Sequence, residues 1–165
     1  IIHIHKGPTI HPLNSDAFDV RDVDDVATAF PDLKFVIDHC GIPRIDDFCW
    51  IANQEPNVYG GLSVVHGFIH MRPKYFASMM ADLLFFVGED RLLFGSDYGI
   101  HSPKWLVEDL MAFEFDDATA QEAGTGLTLD VKAKILGLNA ARLYGIDVPA
   151  ECYRAPPVAM RHAAE

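Results

Sequence analysis

The chain has 165 residues, 50% of them hydrophobic, and a formal net charge of −11. That length is one domain's worth, the apolar half suffices for a sizeable core, and the acidic balance argues against a nucleic acid or an anionic membrane as partner. The longest apolar block, Phe76 to Val87, is broken by Ser78 and Asp82 and is too short to cross a bilayer.

Ile1-Ile-His-Ile-His5 reads as a strand, with His3 and His5 sharing a face at period two. Lys6-Gly7-Pro8 ends it, and residues 9–18 read as a loop. Val20, Val23, Val26, Ala27 and Phe30 recur at helical spacing, with Asp19 placed as the N-cap. Lys34-Phe-Val-Ile-Asp38 is a second strand, and His39-Cys40-Gly41 follows at its end. Ile45 to Ala52 makes a short helix. Asn57 to Ser63 is a third strand, weakened by Gly60 and Gly61, and a polar loop with His66 and His70 comes next. Pro73 suits the first turn of a long helix through Phe86. Gly88-Glu89-Asp90 turns the chain into a fourth strand, residues 91–95, apolar enough for burial on both faces. Pro103 to Phe113 is helical, and the acidic residues 114–127 read as a mobile loop. Thr128 caps a helix from Leu129 to Leu136, with Gly137 as its C-cap, and Asn139 to Tyr144 adds a last helical turn or two. From Asp147 onward the chain is a tail without clear pattern. The cysteines, Cys40, Cys49 and Cys152, are odd in number and lack C-x-x-C spacing, which fits a reducing cytoplasm better than a disulfide scaffold.

Strand then helix, repeated four times, defines the α/β class with a parallel sheet and helical crossovers. Three strand ends carry a group able to bind metal or move a proton: His5, His39 and Asp97. In a parallel α/β barrel the C-terminal strand ends form the active-site face. Singly, each residue has an ordinary explanation, a structural histidine or an aspartate at a turn; their convergence is the signal. Imidazole and carboxylate suit Zn²⁺ or another divalent ion, which lowers the pKa of bound water and polarises a carbonyl. His39, where it is not a ligand, is placed to take or give a proton. His3, His66, His70 and His101 are weaker candidates. Arg44 suits a substrate carboxylate or a surface role equally well. Trp50 and Trp105 read as helix-face packing.

Four blocks in this order carry a family resemblance: Phe30-Pro-Asp-Leu-Lys-Phe-Val-Ile-Asp-His-Cys-Gly41, Asn57-Val-Tyr, Arg91-Leu-Leu-Phe-Gly-Ser-Asp97 and Lys134-Ile-Leu-Gly-Leu-Asn-Ala-Ala-Arg-Leu-Tyr-Gly145. Together they resemble the amidohydrolase-related branch of the amidohydrolase superfamily, which includes aminocarboxymuconate-semialdehyde decarboxylase and related metal-dependent hydrolases and decarboxylases. The likeness runs from Ile1 to Ile146, and residues 147–165 form the tail. It implies a TIM-like (β/α)8 barrel of which this chain holds roughly the last four strand–helix units. It further implies His5 as the fifth-strand metal ligand, His39 as the sixth-strand histidine of proton transfer, and Asp97 as the eighth-strand carboxylate at the metal, with a part in catalysis. The family's first-strand H-x-H pair has no counterpart before Ile1.

The expected function is therefore metal-dependent hydrolysis of a C–N or C–O bond, with a divalent ion, expected to be Zn²⁺, activating water. Two alternatives stay open: non-oxidative decarboxylation of a small unsaturated or aromatic carboxylate, and a catalytically incomplete barrel that serves as an assembly subunit. The expected partners are a small-molecule substrate and, because a complete barrel needs about 250 residues, either an N-terminal barrel half or a partner chain in an oligomer. The two outer strands are expected to be those holding Ile1–His5 and Arg91–Gly95, both with unpaired edges.

Overall fold

The computed structural model describes residues 1–150; Cys152 and the Pro156-Pro157 segment of the tail lie outside the described residues. Four short strands form one parallel sheet in the order β1-β2-β3-β4. They are β1 (Ile2–His5), β2 (Phe35–Asp38), β3 (Val58–Gly61) and β4 (Leu92–Leu93). Between them run α1 (Arg21–Ala29), α2 (Ile45–Gln54), α3 (Phe68–Met71) and α4 (Pro73–Phe86). After β4 come α5 (Pro103–Ala112), α6 (Asp117–Ala123), α7 (Leu129–Ala133) and α8 (Asn139–Tyr144). Sequential parallel strands joined by helices are the repeating unit of a β/α barrel. No described helix is long and apolar enough to cross a membrane.

Strand register sorts the sheet into two faces. Ile2 pairs with Phe35, Ile4 with Ile37, Phe35 with Val58 and Gly60 with Leu92. Phe35, Ile37, Val58 and Leu92 belong to the buried core with Phe48 of α2 and Phe76, Met79, Met80 and Leu83 of α4. Gly60 on this face leaves room for the layer above it, since a Cβ there would lie 3.0 Å from Cys40 Sγ and 3.2 Å from Phe48 Cζ. The other face carries His3 beside Val36 and His5 beside Asp38. Cys40 and Cys49 are buried free thiols, and burial pushes Cys49 up to about 12, so both are unreactive core residues.

Several elements differ from the sequence expectation for identifiable reasons. Residues 114–127 contain α6: the Asp116 side chain accepts from Thr119 N, and Gly124 ends the helix in the left-handed region. Gly137 does not stop the last helix. The chain passes through a π-helical turn at Lys134–Leu138 and ends instead at left-handed Gly145. Asp19 lies one residue before the N-cap Val20, because its carboxylate takes both the backbone N–H and the guanidinium of Arg21. The segment with His66 and His70 is helical, a 3-10 turn at Val65–Gly67 followed by α3. Strand β4 is shorter than residues 91–95 because the Phe94 amide donates to Ile135 O rather than to a strand. Trp50 and Trp105 are mostly exposed, and Trp50 lies against Phe86 with ring centroids 5.0 Å apart.

Candidate active site at the strand ends

The backbone after each of the last three strands turns into the left-handed region. His39, Cys40 and Gly41 have φ of 71°, 50° and 69°, Val64 has 66° and Asp97 has 53°. Positive φ is uncommon for any residue with a Cβ and is strained for β-branched valine. Such strain persists only where the surroundings impose it, and two of the three strand ends that show it, those of β2 and β4, carry the sequence candidates His39 and Asp97.

His39 is the best-defined side chain of the group. It is 7% exposed. Its ring rests on Gly7, where a Cβ would lie 2.5 Å from His39 Cβ and 2.6 Å from Cδ2. The His5 ring meets it edge to face, with centroids 4.6 Å apart. Its Nδ1 lies 3.1 Å from Ser63 O and 3.0 Å from Ser63 Oγ. Ser63 is in turn backed by Gly95, where a Cβ would lie 2.8 Å from Ser63 Cβ and 3.0 Å from its amide nitrogen. The strand ends of β1 to β4 thus touch in sequence through His5, His39, Ser63 and Gly95.

The structure brings His5 and His39 together but does not gather Asp97 with them into a metal-holding group. Strands β1 and β4 are the two outer strands of the sheet. Among the described residues, no group of three or more His, Cys, Asp or Glu side chains is placed to hold a metal ion. Zinc takes about four ligands, so these residues do not by themselves make a metal centre, although their donor chemistry suits one. Arg44 lies at the start of α2 with Nη2 3.4 Å from Asp19 Oδ2 and its guanidinium 5.4 Å above the Phe18 ring. The Arg21 side chain bound to Asp19 holds that carboxyl well below the usual range, so Asp19 is an anion, paired first with Arg21 at 2.6 Å and only at longer range with Arg44.

The weaker histidines have other duties. His3 Nε2 is 2.5 Å from Tyr144 Oη and its Nδ1 is 3.4 Å from Asp38. His66 is fully buried between Phe76 and Phe94; its Nδ1 donates to Gly95 O at 3.3 Å and its Nε2 has no hydrogen-bond partner among the described residues. His70 Nε2 is 3.0 Å from Asp109 Oδ2, without hydrogen-bond alignment. The His101 ring covers Gly67. Two residues of the site face escape sequence reasoning, Ser63 and Asp38. Asp38 was within reach of it, because pairing β1 with β2 from their first residues sets Asp38 beside His5. Ser63 has no such signal.

Fold and site together define a parallel β/α-barrel chain with an imidazole pair at adjacent C-terminal strand ends. The chain belongs to the amidohydrolase family, whose profile matches residues 1–146. It is similar in fold to an uncharacterised TIM-barrel protein from Bordetella bronchiseptica, at 22% identity and a TM-score of 0.62, over 87% of this chain and 45% of that one. It is also similar to an amidohydrolase from Burkholderia multivorans with bound zinc, at 19% identity and a TM-score of 0.57, over 78% of this chain and 49% of that one. No curated protein matches the chain. The four strand–helix units therefore span less than half of either solved barrel.

Proposed function

We propose that the chain is the C-terminal half of a metal-dependent hydrolase of the amidohydrolase type, with His39 as the proton-transfer residue. The observation that carries this reading is the His5–His39 pair, 4.6 Å between ring centroids at neighbouring strand ends. In this reading His5 and Asp97 contribute to a divalent-metal site, zinc by analogy with the Burkholderia multivorans protein, and the remaining donors come from outside these four strands. His39, nearly buried and held through Nδ1, presents its other nitrogen to a substrate and exchanges a proton there. The substrate is a small molecule with a scissile C–N or C–O bond.

The incomplete donor set supports a second reading, a catalytically incomplete barrel that serves as an assembly subunit.

Metal content and turnover of the native protein and of His39→Asn separate these. The proposal expects bound divalent metal in both proteins and a loss of about 10²–10⁴-fold in turnover of amide or ester substrates in the variant. Loss of metal together with activity makes His39 a ligand. A metal-free native protein without turnover leaves the assembly reading.

A further inference from the structure

We infer that Ser63 is the positioning residue for His39: its carbonyl and hydroxyl together hold the ring as the Nδ1–H tautomer and leave Nε2 as the proton-accepting nitrogen. This rests on the proposed role of His39 in proton transfer and adds to it which nitrogen works and what keeps it so.

The assignment follows from what each atom can do. A backbone carbonyl only accepts hydrogen bonds, so a ring nitrogen 3.1 Å from Ser63 O must carry the hydrogen. The Ser63 hydroxyl at 3.0 Å accepts from the same N–H and leaves its own hydrogen free. In the neutral ring the second nitrogen is then bare, and Nε2 has no hydrogen-bond partner among the described residues. The hydrogen bond on one nitrogen sets the chemistry of the other, which is how a histidine is prepared as a base.

A second, independent observation is the backbone that aims Ser63. Val65 N donates to Ser63 O at 2.8 Å across Val64, whose φ and ψ are 66° and −48°. That is a γ-turn of the rare positive-φ kind, here on a β-branched residue. The turn bends the chain just past β3 so that one carbonyl serves both Val65 N and His39 Nδ1. Gly95 closes the arrangement from behind, because any side chain there would press on the Ser63 Cβ and amide. His5 and Gly7 fix the remaining sides of the ring, so rotation about the His39 side chain is the freedom that Ser63 removes.

The test is a long-range ¹H–¹⁵N spectrum of the native protein labelled at histidine, recorded where the ring is neutral, with His39 assigned by its absence in His39→Asn. The expected result is a protonated Nδ1 and a bare Nε2. Ser63→Ala keeps the carbonyl and removes the hydroxyl. It is expected to speed solvent exchange of the Nδ1 proton and to lower turnover about tenfold with KM little changed, an orientation effect, while Ser63→Thr restores both. An Nε2–H ring in the native protein overturns the inference, and so does a Ser63→Ala protein whose Nδ1 proton and turnover match the native ones. The native spectrum alone decides the tautomer, so a Ser63→Ala that fails to fold does not block the test. A protonated Nδ1 together with unchanged turnover in His39→Asn supports the tautomer and overturns the proposed role of His39 instead.

Discussion

Gly7 and His39 approach so closely that the site depends on a missing methyl group. A Cβ at Gly7 would lie 2.5 Å from His39 Cβ, an atom that no rotamer change can move away. Gly7→Ala is therefore expected to displace the imidazole. A shift of about 1 Å at a reacting group costs about a hundredfold in rate, and steady-state kinetics on folded protein, checked by circular dichroism, reads it. Turnover within twofold of native would show that His39 is not clamped as described. His66 illustrates a histidine with the opposite task. Burial lowers its pKa from 6.5 to about 4, against a smaller raising effect of its bond to Gly95 O. The folded state therefore binds this proton only below about pH 4, whereas the unfolded chain binds it from about 6.5. Stability from His66 is complete above 6.5 and falls as pH drops towards 4, by about 3 kcal/mol at about 1.4 kcal/mol per pH unit. Urea titrations between pH 7 and 4 should show this fall in the native protein and a shallower one in His66→Leu; equal slopes would remove His66 as the cause. His5 and His39 were legible because a residue ending an apolar strand is visible in one dimension. Ser63 was not, because its meaning lies in a contact made 24 residues away from His39.

Among the secondary elements, the blocks that carry the family likeness divide into chemistry and carpentry. Asn57 Nδ2 points at three carbonyls, Ala27, Phe30 and Leu33, at 3.1, 3.2 and 3.1 Å, and so fastens the end of α1 to the start of β3. Arg91 Nη1 does the same for α2 with Ala52, Glu55 and Val58 at 2.7, 3.0 and 3.0 Å. Asn139 Nδ2 reaches Glu89 O and Leu92 O at 2.7 and 2.9 Å. These side chains hold strands in place from the end opposite the site. Asn57→Ala strands buried carbonyls and is expected to cost about 1–3 kcal/mol by urea unfolding, with His39 undisturbed in its histidine spectrum. A cost under about 0.5 kcal/mol would mean that the carbonyls find other partners. Strand positions were readable because apolar runs bounded by turns leave few choices. Helix α6 is hidden in an acidic stretch whose Gly and Thr content reads as a loop, and only its end signals, Asp116 and Gly124, mark it. Gly137 misled because a π-helical turn absorbs it without ending the helix.

For the molecule as a whole, the two edges of the sheet are not equivalent, although the sequence leads one to expect both unpaired. Two groups facing away from β3 are Leu92 O and, just past β4, Phe94 N. They are taken by Asn139 Nδ2 and Ile135 O, both at 2.9 Å, so the last helical segment holds part of this edge. On β1 the amides of Ile2 and Lys6 donate to Lys34 O and Asp38 O at 2.8 and 3.1 Å. Amides alternate in direction along a parallel edge strand, so those of His3 and His5 face the open side. The strand is largely exposed, with Ile2 at its start and Ile1 just before it. An uncovered edge of this kind is a pairing site. We propose that in the native protein a parallel strand from outside these four units, in the same polypeptide or a partner chain, lies along β1. It would continue the barrel beyond β1, as a chain with an incomplete metal-binding set requires. Hydrogen exchange on the native protein tests this directly. The His3 and His5 amides should be protected about as strongly as those of β2, and light scattering should give a mass above 18.3 kDa. Exchange of both amides at the rate of an unstructured peptide, in a stable 18.3 kDa monomer, would show that β1 needs no neighbour and that the site is complete or inert as it stands.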